Sequence, residues 1–286
     1  MVAETGLTTN LGKALSIDLV EKFGTRFSSL QKLMGIQRVL PMSQGTVIKT
    51  YTSTVTLDGT EVAPGEVIPL SQVKMEDGPT HSIDWDKKRK AVTMEDIQKF
   101  GFERAVTMTD GKLIGEIQKG IREKLVGQLA TGTGAVGGDD LQQAMAQSWA
   151  AVTNAFDEDD VEVISFINPF DAAEYLGNAA ITTQSAFGMN YVEDFLNNRI
   201  VFMHGSIPEG TIYATAAENM IVGYADMSGG SIGHAFDFTT DDLGLIGVTH
   251  DINKQRLQAE TIAAYGLVLL AERLDGVIVG SITPTP

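Results

Sequence analysis

A row of apolar residues, spaced four positions apart, predicts a long amphipathic helix over residues 107–130. The row consists of Leu113, Ile117, Ile121, Leu125 and Leu129, and Ile114 and Val126 widen it. Because successive helical residues are about 100° apart, the row slants around the helix, and a partner element should cross it obliquely. Charged residues fall on the opposite side, at spacings where unlike charges support one another: Lys112, Glu116, Lys119 and Glu123.

The ends of this helix also carry recognisable signals. Thr107 and Asp110 predict a capping box at the start, and Gly132 and Gly134 predict the stop. Each glycine in a helix interior lowers helix stability by about 1 kcal/mol relative to alanine. The interior glycines are Gly111, Gly115, Gly120 and Gly127. We therefore expect the helix to depend on packing against a sheet or another subunit.

Composition limits the classes of function that need consideration. The chain has 286 residues, enough for about two domains, with 43% hydrophobic and 20% charged residues, as in folded proteins. Its net charge of −16 argues against general binding to DNA or to anionic membranes. The absence of cysteine excludes disulfides, thiolate zinc sites and cysteine nucleophiles, and it fits a reducing compartment.

The sequence offers no targeting or membrane-spanning signal. The N-terminus lacks a basic segment followed by an apolar block, so we expect no secretory signal. The longest apolar run, residues 262–271, is about half as long as a bilayer-spanning helix. We therefore expect a soluble intracellular protein with no membrane partner.

The first third of the chain predicts an arm, a helix and a hairpin. Residues 1–12 are polar and predict a flexible arm, and residues 14–34 have the apolar spacing of a helix that lies on its own chain or on a neighbour. Residues 46–57 alternate like a strand, and residues 81–93 form a second extended run. The segment 58–80 between them is rich in proline and glycine. It predicts a long hairpin arm that is too poor in core residues to be stable alone and rests on another molecule.

The rest of the chain predicts a mixed α/β region followed by strands. The predicted helices cover residues 141–156 and 171–177. The predicted strands cover residues 161–167, 200–203, 211–214 and 276–282, with a β-rich region at 239–271. Residues 131–140 predict a glycine-rich joint, residues 157–160 an acidic turn and residues 207–210 a turn between strands.

Residues 132–137 match the G-x-G-x-x-G fingerprint of dinucleotide binding. That fingerprint works when a strand precedes it and a helix N-terminus follows, so that backbone N–H groups meet the pyrophosphate. Here a predicted helix precedes the glycines. A joint between two helices is therefore favoured over a cofactor site.

Two charged blocks have ordinary explanations. Lys87, Lys88, Arg89 and Lys90 lie on a predicted strand, which favours a solvated face or a patch that meets acidic residues of a neighbour over nucleic-acid binding. The acidic block at 157–160 lacks the alternating ligands and the glycine of a calcium loop, so a solvated turn is favoured.

The residues that usually carry catalysis form no recognisable constellation. The histidines occur in no H-E-x-x-H or paired arrangement: His81, His204, His234 and His250. No G-x-S-x-G elbow is present, and the serines, histidines and aspartates form no local triad signature. We predict no catalytic, cofactor-binding or metal-binding residues and expect that the protein is not an enzyme.

Several short segments, taken in order, resemble a known family. They are residues 62–69, the extended return at 83–93 that leads into Met94-Glu95-Asp96, the helix end at 127–129, residues 166–169, residues 205–210 and the closing residues 274–279. In this order they resemble the major capsid proteins of tailed bacteriophages, the Caudoviricetes, which share the HK97-type fold. The resemblance covers nearly the whole chain.

The resemblance implies an α+β fold with a fixed division of the chain. Residues 1–40 are expected to be the N-terminal arm, and residues 41–98 the extended hairpin loop that lies across an adjacent subunit. The peripheral domain is expected to take residues 99–134, with the long spine helix, and residues 235–275. The axial domain is expected to take residues 135–234 and 276–286.

The resemblance also implies function and partners. Such chains form hexamers and pentamers of an icosahedral virion shell, assembled in the host cytoplasm, that encloses double-stranded DNA without sequence-specific binding. Portal, scaffold and decoration proteins are the implied partners. No cleavable scaffolding segment is visible, which implies a separate scaffold or none. Some relatives crosslink a lysine to an asparagine, but nothing around Lys74 identifies such a partner.

Two other functions stay open from the sequence. An encapsulin-type nanocompartment shares the fold but holds enzyme cargo, and the long loop and early arm favour a phage capsid over it. A nucleotide-dependent enzyme that uses the glycine-rich turn is a third hypothesis, and tight binding of NAD or ATP by a monomer would favour it.

Overall fold

The computed structural model describes residues 7–43, 45–56, 67, 72–156, 161–177, 182–228 and 235–283. Within these residues the chain is an α+β protein with five α-helices and sixteen strands in four sheets. The helices are α1 (Leu7–Met34), α2 (Met94–Phe100), α3 (Phe102–Leu129), α4 (Leu141–Phe156) and α5 (Pro169–Gly177). The predicted fold class is confirmed.

The largest sheet has seven strands in the order β5-β16-β10-β6-β9-β8-β7. Two neighbouring pairs are parallel, β5 with β16 and β6 with β9, and the others are antiparallel. α4 packs on one side of this sheet. The strands are β5 (Gly134–Gly138), β6 (Val163–Ile167), β7 (Gln184–Ala186), β8 (Met189–Phe195), β9 (Asn198–Met203), β10 (Thr211–Ala216) and β16 (Ile278–Ile282).

A four-stranded antiparallel sheet has the order β12-β13-β14-β4, and α1 and α3 pack against it. A three-stranded sheet has the order β1-β11-β15. The strands of these two sheets are β1 (Arg38–Met42), β4 (Asp86–Thr93), β11 (Met220–Ala225), β12 (Thr239–Thr240), β13 (Ile246–Asn253), β14 (Gln258–Tyr265) and β15 (Leu267–Ala271). The fourth sheet is the hairpin of β2 (Val47–Thr56) and β3 (Gln72–Ser82).

The apolar row on α3 is buried as predicted. Its members are all at most 8% exposed and belong to the largest core cluster, together with strands of all three sheets of the body. The predicted capping box is wrong, because α3 begins at Phe102 and places Thr107 and Asp110 inside the helix. Gly101, with a φ of 81°, separates α2 from α3. The missed helix α2 is capped by Thr93, whose hydroxyl accepts a hydrogen bond from the backbone N–H of Asp96.

The N-terminal helix lies on its own chain. α1 begins at Leu7, so the prediction of a flexible arm is wrong for residues 7–12, while residues 1–6 lie outside the described part. Its apolar face joins the largest core cluster through Leu19, Val20, Phe23, Phe27, Leu30 and Met34. At its end, Gly35 has a φ of 69°, and the N–H groups of Gly35 and Ile36 donate to the carbonyls of Lys32 and Gln31. This is the glycine cap that commonly closes a helix.

The hairpin is confirmed, but its strands differ from the prediction. β3 begins at Gln72, so residues 72–80 are strand and not loop, and the run at 81–93 divides into the end of β3 and the separate strand β4. Residues 57–66 and 68–71, which hold most of the predicted loop, lie outside the described part.

The prediction of a glycine-rich joint at residues 131–140 is wrong, because residues 134–138 form the edge strand β5. α4 matches its predicted bounds, and the predicted helix α5 and strands β6, β9, β10 and β16 are present. The strands β1, β7, β8 and β11 had not been predicted. The turn between β13 and β14 lies at residues 254–257, and the predicted acidic turn at 157–160 lies outside the described residues.

Candidate functional site

The hairpin of β2 and β3 is fixed to the body at its base. The N–H of Ile83 donates to the carbonyl of Thr46 over 3.2 Å, and the N–H of Gly45 donates to the carbonyl of Ile83 over 3.1 Å. The Ile83 side chain is 1% exposed and fits beside Gly223 and Gly266, where a Cβ atom would lie only 3.1 and 3.5 Å from it. These glycines let the base of the hairpin sit against β11 and β15.

Beyond its base, the hairpin has few partners in the described part of the chain. β2 and β3 pair only with each other, over registers that run from Val47 and Ser82 to Thr56 and Gln72. An exposed ion pair joins Lys49 and Asp77 at 3.3 Å. Val67, beyond the described end of β2, is 92% exposed. Since an isolated two-stranded hairpin is at best marginally stable in water, these residues form a candidate surface for another molecule.

The basic block is divided between ion pairs and solvent. Arg89 donates two hydrogen bonds to the carboxylate of Glu260, at 2.6 and 3.1 Å, and Lys90 is held near Asp110 at 2.6 Å. The hydrogen bond from Arg89 is the largest cause that lowers the pKa of Glu260 to about 2. Lys87 and Lys88 are exposed. Two of the four cations thus meet acidic residues of their own chain.

A buried polar cluster connects α1, α3 and the four-stranded sheet. Asp110 is 6% exposed and pairs with Lys90 and with His250, whose Nε2 lies 3.1 Å from its carboxylate. Thr261 donates to the same carboxylate over 3.3 Å. On the far side of the imidazole, Nδ1 of His250 lies 2.7 Å from the hydroxyl of Ser16 on α1. No local sequence pattern indicates this cluster, because its members come from five separate elements.

Charge balance keeps Asp110 ionised. Burial raises the pKa of Asp110, but the hydrogen bonds from His250 and Lys90 outweigh burial, so the pKa lies below its ordinary value. Burial lowers the pKa of Lys90, and the hydrogen bond to Asp110 opposes that change. Lys90 also donates to the carbonyl of Val106 over 2.9 Å. The cluster therefore acts as a polar joint between elements.

Ser16, His250 and Asp110 stand in the order of a hydrolase triad, but their surroundings favour a structural role. Ser16 is 2% exposed, and its hydroxyl donates to the carbonyl of Gly12 over 3.0 Å. The carboxylate of Asp110 is shared with Lys90 instead of serving the histidine alone. A nucleophile needs access to its substrate and a hydroxyl directed at it. The other described histidines lie elsewhere: His81 at the hairpin base and His204 beside Ser206.

The glycines at 132–138 are explained by packing. A Cβ atom on Gly132 or Gly134 would lie 2.6 Å from Val277 or 2.2 Å from Ile278, and one on Gly138 would lie 2.4 Å from the backbone nitrogen of Ala144. The start of α4 is occupied by its own chain, because Asp140 accepts from the N–H of Gln143 over 2.7 Å. A pyrophosphate in the dinucleotide-binding manner needs that helix N-terminus open. The glycines serve close strand packing.

The described residues hold neither a ready-made metal site nor a helix that could span a membrane. No group of three or more histidines and carboxylates there is placed to hold a metal ion. None of the described helices combines the length and apolar character needed to cross a bilayer.

Comparison with known proteins identifies the architecture. No protein-family model matches the sequence, and no curated protein is significantly similar to it. Solved structures do match. The virus-like particle from Pyrococcus furiosus has a TM-score of 0.53 and 12% identity, over 94% of this chain and 96% of that chain. The capsid of the cyanophage P-SCSP1u has a TM-score of 0.55 and 10% identity, over 87% of this chain and 86% of that chain.

A third match is the holo-SrpI encapsulin complex from Synechococcus elongatus PCC 7942, with a TM-score of 0.51 and 11% identity, over 90% of this chain and 89% of that chain. Phage capsids and encapsulins thus match at similar TM-scores. These matches, together with the long buried helix α3, the sheets around it and the projecting hairpin, confirm that the chain has the HK97-type fold.

Proposed function

We propose that this chain is the major capsid protein of a tailed bacteriophage, and that it assembles as hexamers and pentamers into an icosahedral shell around double-stranded DNA. The observation that carries the proposal is the hairpin of β2 and β3, which is anchored at Ile83 and pairs with no other sheet in the described chain. When each subunit binds the next copy through two different surfaces, the subunits can close into a ring. The hairpin is suited to be one side of such a contact.

The elements support a division of the chain into an arm, an extended loop and two domains. We assign residues 1–40 to the N-terminal arm and residues 41–98 to the extended loop. Residues 99–134 and 235–275, which carry α3 and most of the four-stranded sheet, form the peripheral domain. Residues 135–234 and 276–286, which carry the seven-stranded sheet and α4, form the axial domain. The three-stranded sheet joins strands from three of these segments and so ties them together.

The net charge suits a container for DNA. A shell lined with many cations would hold the phosphate backbone by releasing its counterions and would impede packing and release. The chain carries 37 acidic residues against 21 lysines and arginines. DNA is then enclosed without being tightly bound.

An encapsulin-like shell that holds protein cargo is the second candidate. The observation that favours it is the match to the encapsulin complex over 90% of this chain. In either role the chain is a structural protein, and its buried polar cluster serves folding.

Electron microscopy of the purified, expressed chain tests the shell itself. We expect closed icosahedral particles or their hexameric and pentameric units. A chain that stays monomeric at high concentration and binds NAD or ATP tightly would overturn the proposal. Particles recovered from producing cells then separate the two candidates. Nuclease-protected double-stranded DNA supports the phage capsid, and a stoichiometric protein cargo supports the encapsulin.

A further inference from the structure

A cavity of about 310 Å³ lies between α1, α3 and the turn that joins β7 to β8. Its polar wall comes from Thr25, Arg26 and Ser29 on α1, Gln118 on α3 and Ser185 on β7. Among the described residues that line it, none is acidic and Arg26 alone is charged. The chain as a whole has a net charge of −16.

A second guanidinium stands directly behind this wall. Arg122 is 9% exposed, and its Nη1 donates to the carbonyl of Phe187 over 2.6 Å. Gly188, which lines the cavity, is so close that a Cβ atom there would lie 2.5 Å from Nη1 and 3.4 Å from Nη2. Gly188 also has a φ of 79°, which favours glycine. The charge of Arg122 is therefore separated from the cavity by the backbone of one residue.

No carboxylate neutralises Arg122 within the described chain. It forms no ion pair there, and the acidic residue whose charge does reach it, Glu123, is 57% exposed and lies 3.9 Å from Lys119. Burial lowers the pKa of Arg122. The pKa of His204 is also lowered, first by burial and then by the positive charge of Arg122. Arg122 is therefore a buried cation without a paired carboxylate among the described residues.

Two buried donors at this place lack acceptors. The Nε atom of Arg122 and the Nε2 atom of Gln118 are buried and have no hydrogen-bond partner among the described residues. Gln118 is 4% exposed and lies one helical turn before Arg122, so both side chains project from the same side of α3. A buried donor without an acceptor is costly, and a guanidinium needs negative charge as well. An acceptor that carries negative charge would satisfy both side chains.

We propose that this cavity binds a small oxyanion, a phosphate or carboxylate group, between α1, α3 and the β7–β8 turn. Arg26, Thr25, Ser185 and Gln118 line the place of the anion. Arg122, behind the backbone of Gly188, contributes positive charge from the α3 side. Arginine is the side chain best suited to pair with such planar or tetrahedral oxyanions. The anion is either an ion from solution or a carboxylate of a second copy of the chain, since both present the same chemistry.

The test uses the full chain as dissociated subunits, with inorganic phosphate as the probe. The melting temperature is measured against phosphate in the millimolar range, with chloride at matched ionic strength as reference. We expect a saturable rise in the parent protein, because a ligand that binds only the folded state stabilises it. Arg26→Gln, an exposed change, should raise the apparent dissociation constant about tenfold, the effect of losing one charged hydrogen bond.

The matched control is Arg104→Gln, the same change at an exposed position of α3 that does not line the cavity. A general effect of phosphate on burial would act equally on all three proteins. Arg122→Gln should also abolish the saturable rise. If Arg122→Gln does not fold, the comparison of Arg26→Gln with Arg104→Gln tests the proposal. No saturable rise in the parent, or equal losses in Arg26→Gln and Arg104→Gln, would overturn the proposal.

Assembled particles separate the two sources of the anion. If the anion comes from solution, phosphate raises the melting temperature of particles and subunits alike. If a carboxylate of a second copy fills the cavity, phosphate stabilises subunits and leaves particles unchanged. The subunit measurement stands even if the chain forms no particles, so it is independent of the proposed shell function.

Discussion

Asp110 is the residue at which five elements of the chain meet. Its carboxylate accepts from Lys90 on β4 and Thr261 on β14, and it pairs with His250 on β13, which reaches Ser16 on α1. Removing one member of a buried ion pair is costly because the remaining charge stays buried without compensation. Here one carboxylate pairs with the ammonium group of Lys90 and also holds the imidazole of His250. The stability of the joint between α1, α3 and the sheet should therefore depend on this single residue.

The change Asp110→Asn tests that dependence. It keeps the shape of the side chain and removes the charge, and we expect the free energy of unfolding to fall by about 3 kcal/mol. The measurement is urea unfolding of dissociated subunits at neutral pH. The matched control is Asp18→Asn on α1, which breaks only the exposed pair with Lys22 at 2.5 Å and should change stability by less than about 0.5 kcal/mol. Equal losses in the two variants would contradict the central role of Asp110.

Acid should weaken the same region through Glu260. The pKa of Glu260 is lowered to about 2, chiefly by its hydrogen bond from Arg89, whereas an unfolded glutamate titrates near about 4.3. A lowered folded pKa adds stability above the unfolded pKa, and that stability is lost as the pH falls towards the folded pKa. We therefore expect the unfolding free energy to fall between about pH 5 and pH 2. Urea melts at several pH values measure it.

The variant Glu260→Gln tests whether Glu260 causes this loss of stability in acid. It should show a shallower decline over that pH range, because the residue no longer binds a proton on unfolding. Asp110 also has a lowered pKa, so some decline must remain in the variant. A slope identical to that of the parent would contradict the assignment to Glu260.

At the scale of elements, the glycines of α3 differ from those of β5. A Cβ atom on Gly111, Gly115 or Gly127 would meet none of the described residues within 4 Å, so packing against that part of the chain does not require glycine at these positions. A Cβ atom on Gly138 in β5 would lie 2.4 Å from the backbone nitrogen of Ala144 and 2.7 Å from its Cα, and neither atom has room to move. The same residue type is dispensable in one element and required in the other.

Alanine substitutions measure this difference. Gly111→Ala, Gly115→Ala and Gly127→Ala should each raise the unfolding free energy of subunits by up to about 1 kcal/mol, because alanine loses less backbone freedom in a helix. Gly138→Ala should lower it by about 1–3 kcal/mol through overpacking. Urea unfolding compares the four variants. Destabilisation by all three helix substitutions would show that α3 needs glycine for a reason inside the subunit.

Local spacing explains what was predictable at this scale. The apolar row of α3 and the bounds of α4 follow from residues that are near in sequence and share one face. The glycines of β5 led to the wrong prediction of a joint. Glycine is required there by contacts with Val277, Ile278 and Ala144, and no local pattern reveals those contacts. Local patterns also do not reveal the cluster around Asp110. In the sequence, Asp110 itself resembled part of a helix cap. In the sequence, Gln118 and Arg122 likewise look like ordinary polar residues. Their surroundings depend on the β7–β8 turn, which is distant in the sequence.

At the scale of the whole molecule, the body and the hairpin differ in how they are held. The body has one large core cluster that joins α1, α3 and strands of its three sheets. The hairpin has its own two strands and a base fixed by Ile83. Removing the end of the hairpin should therefore affect contacts between copies far more than the folding of one copy.

The decisive variant replaces residues 57–71 with Asn-Gly. Thr56 and Gln72 are paired directly in register, so a two-residue turn can close the hairpin without disturbing either strand. We expect subunits with an unchanged melting temperature that form no heat-stable particles, because the core of the body and the paired strands of the hairpin are kept while the proposed contact with a neighbouring copy is lost. Electron microscopy and the particle melting temperature are the measurements. Val67→Ser serves as a mild companion: it removes a single apolar group that is 92% exposed in one copy and should weaken particles without preventing assembly. If the shortened chain formed particles with the heat resistance of the parent, the hairpin would not be the element that joins the copies.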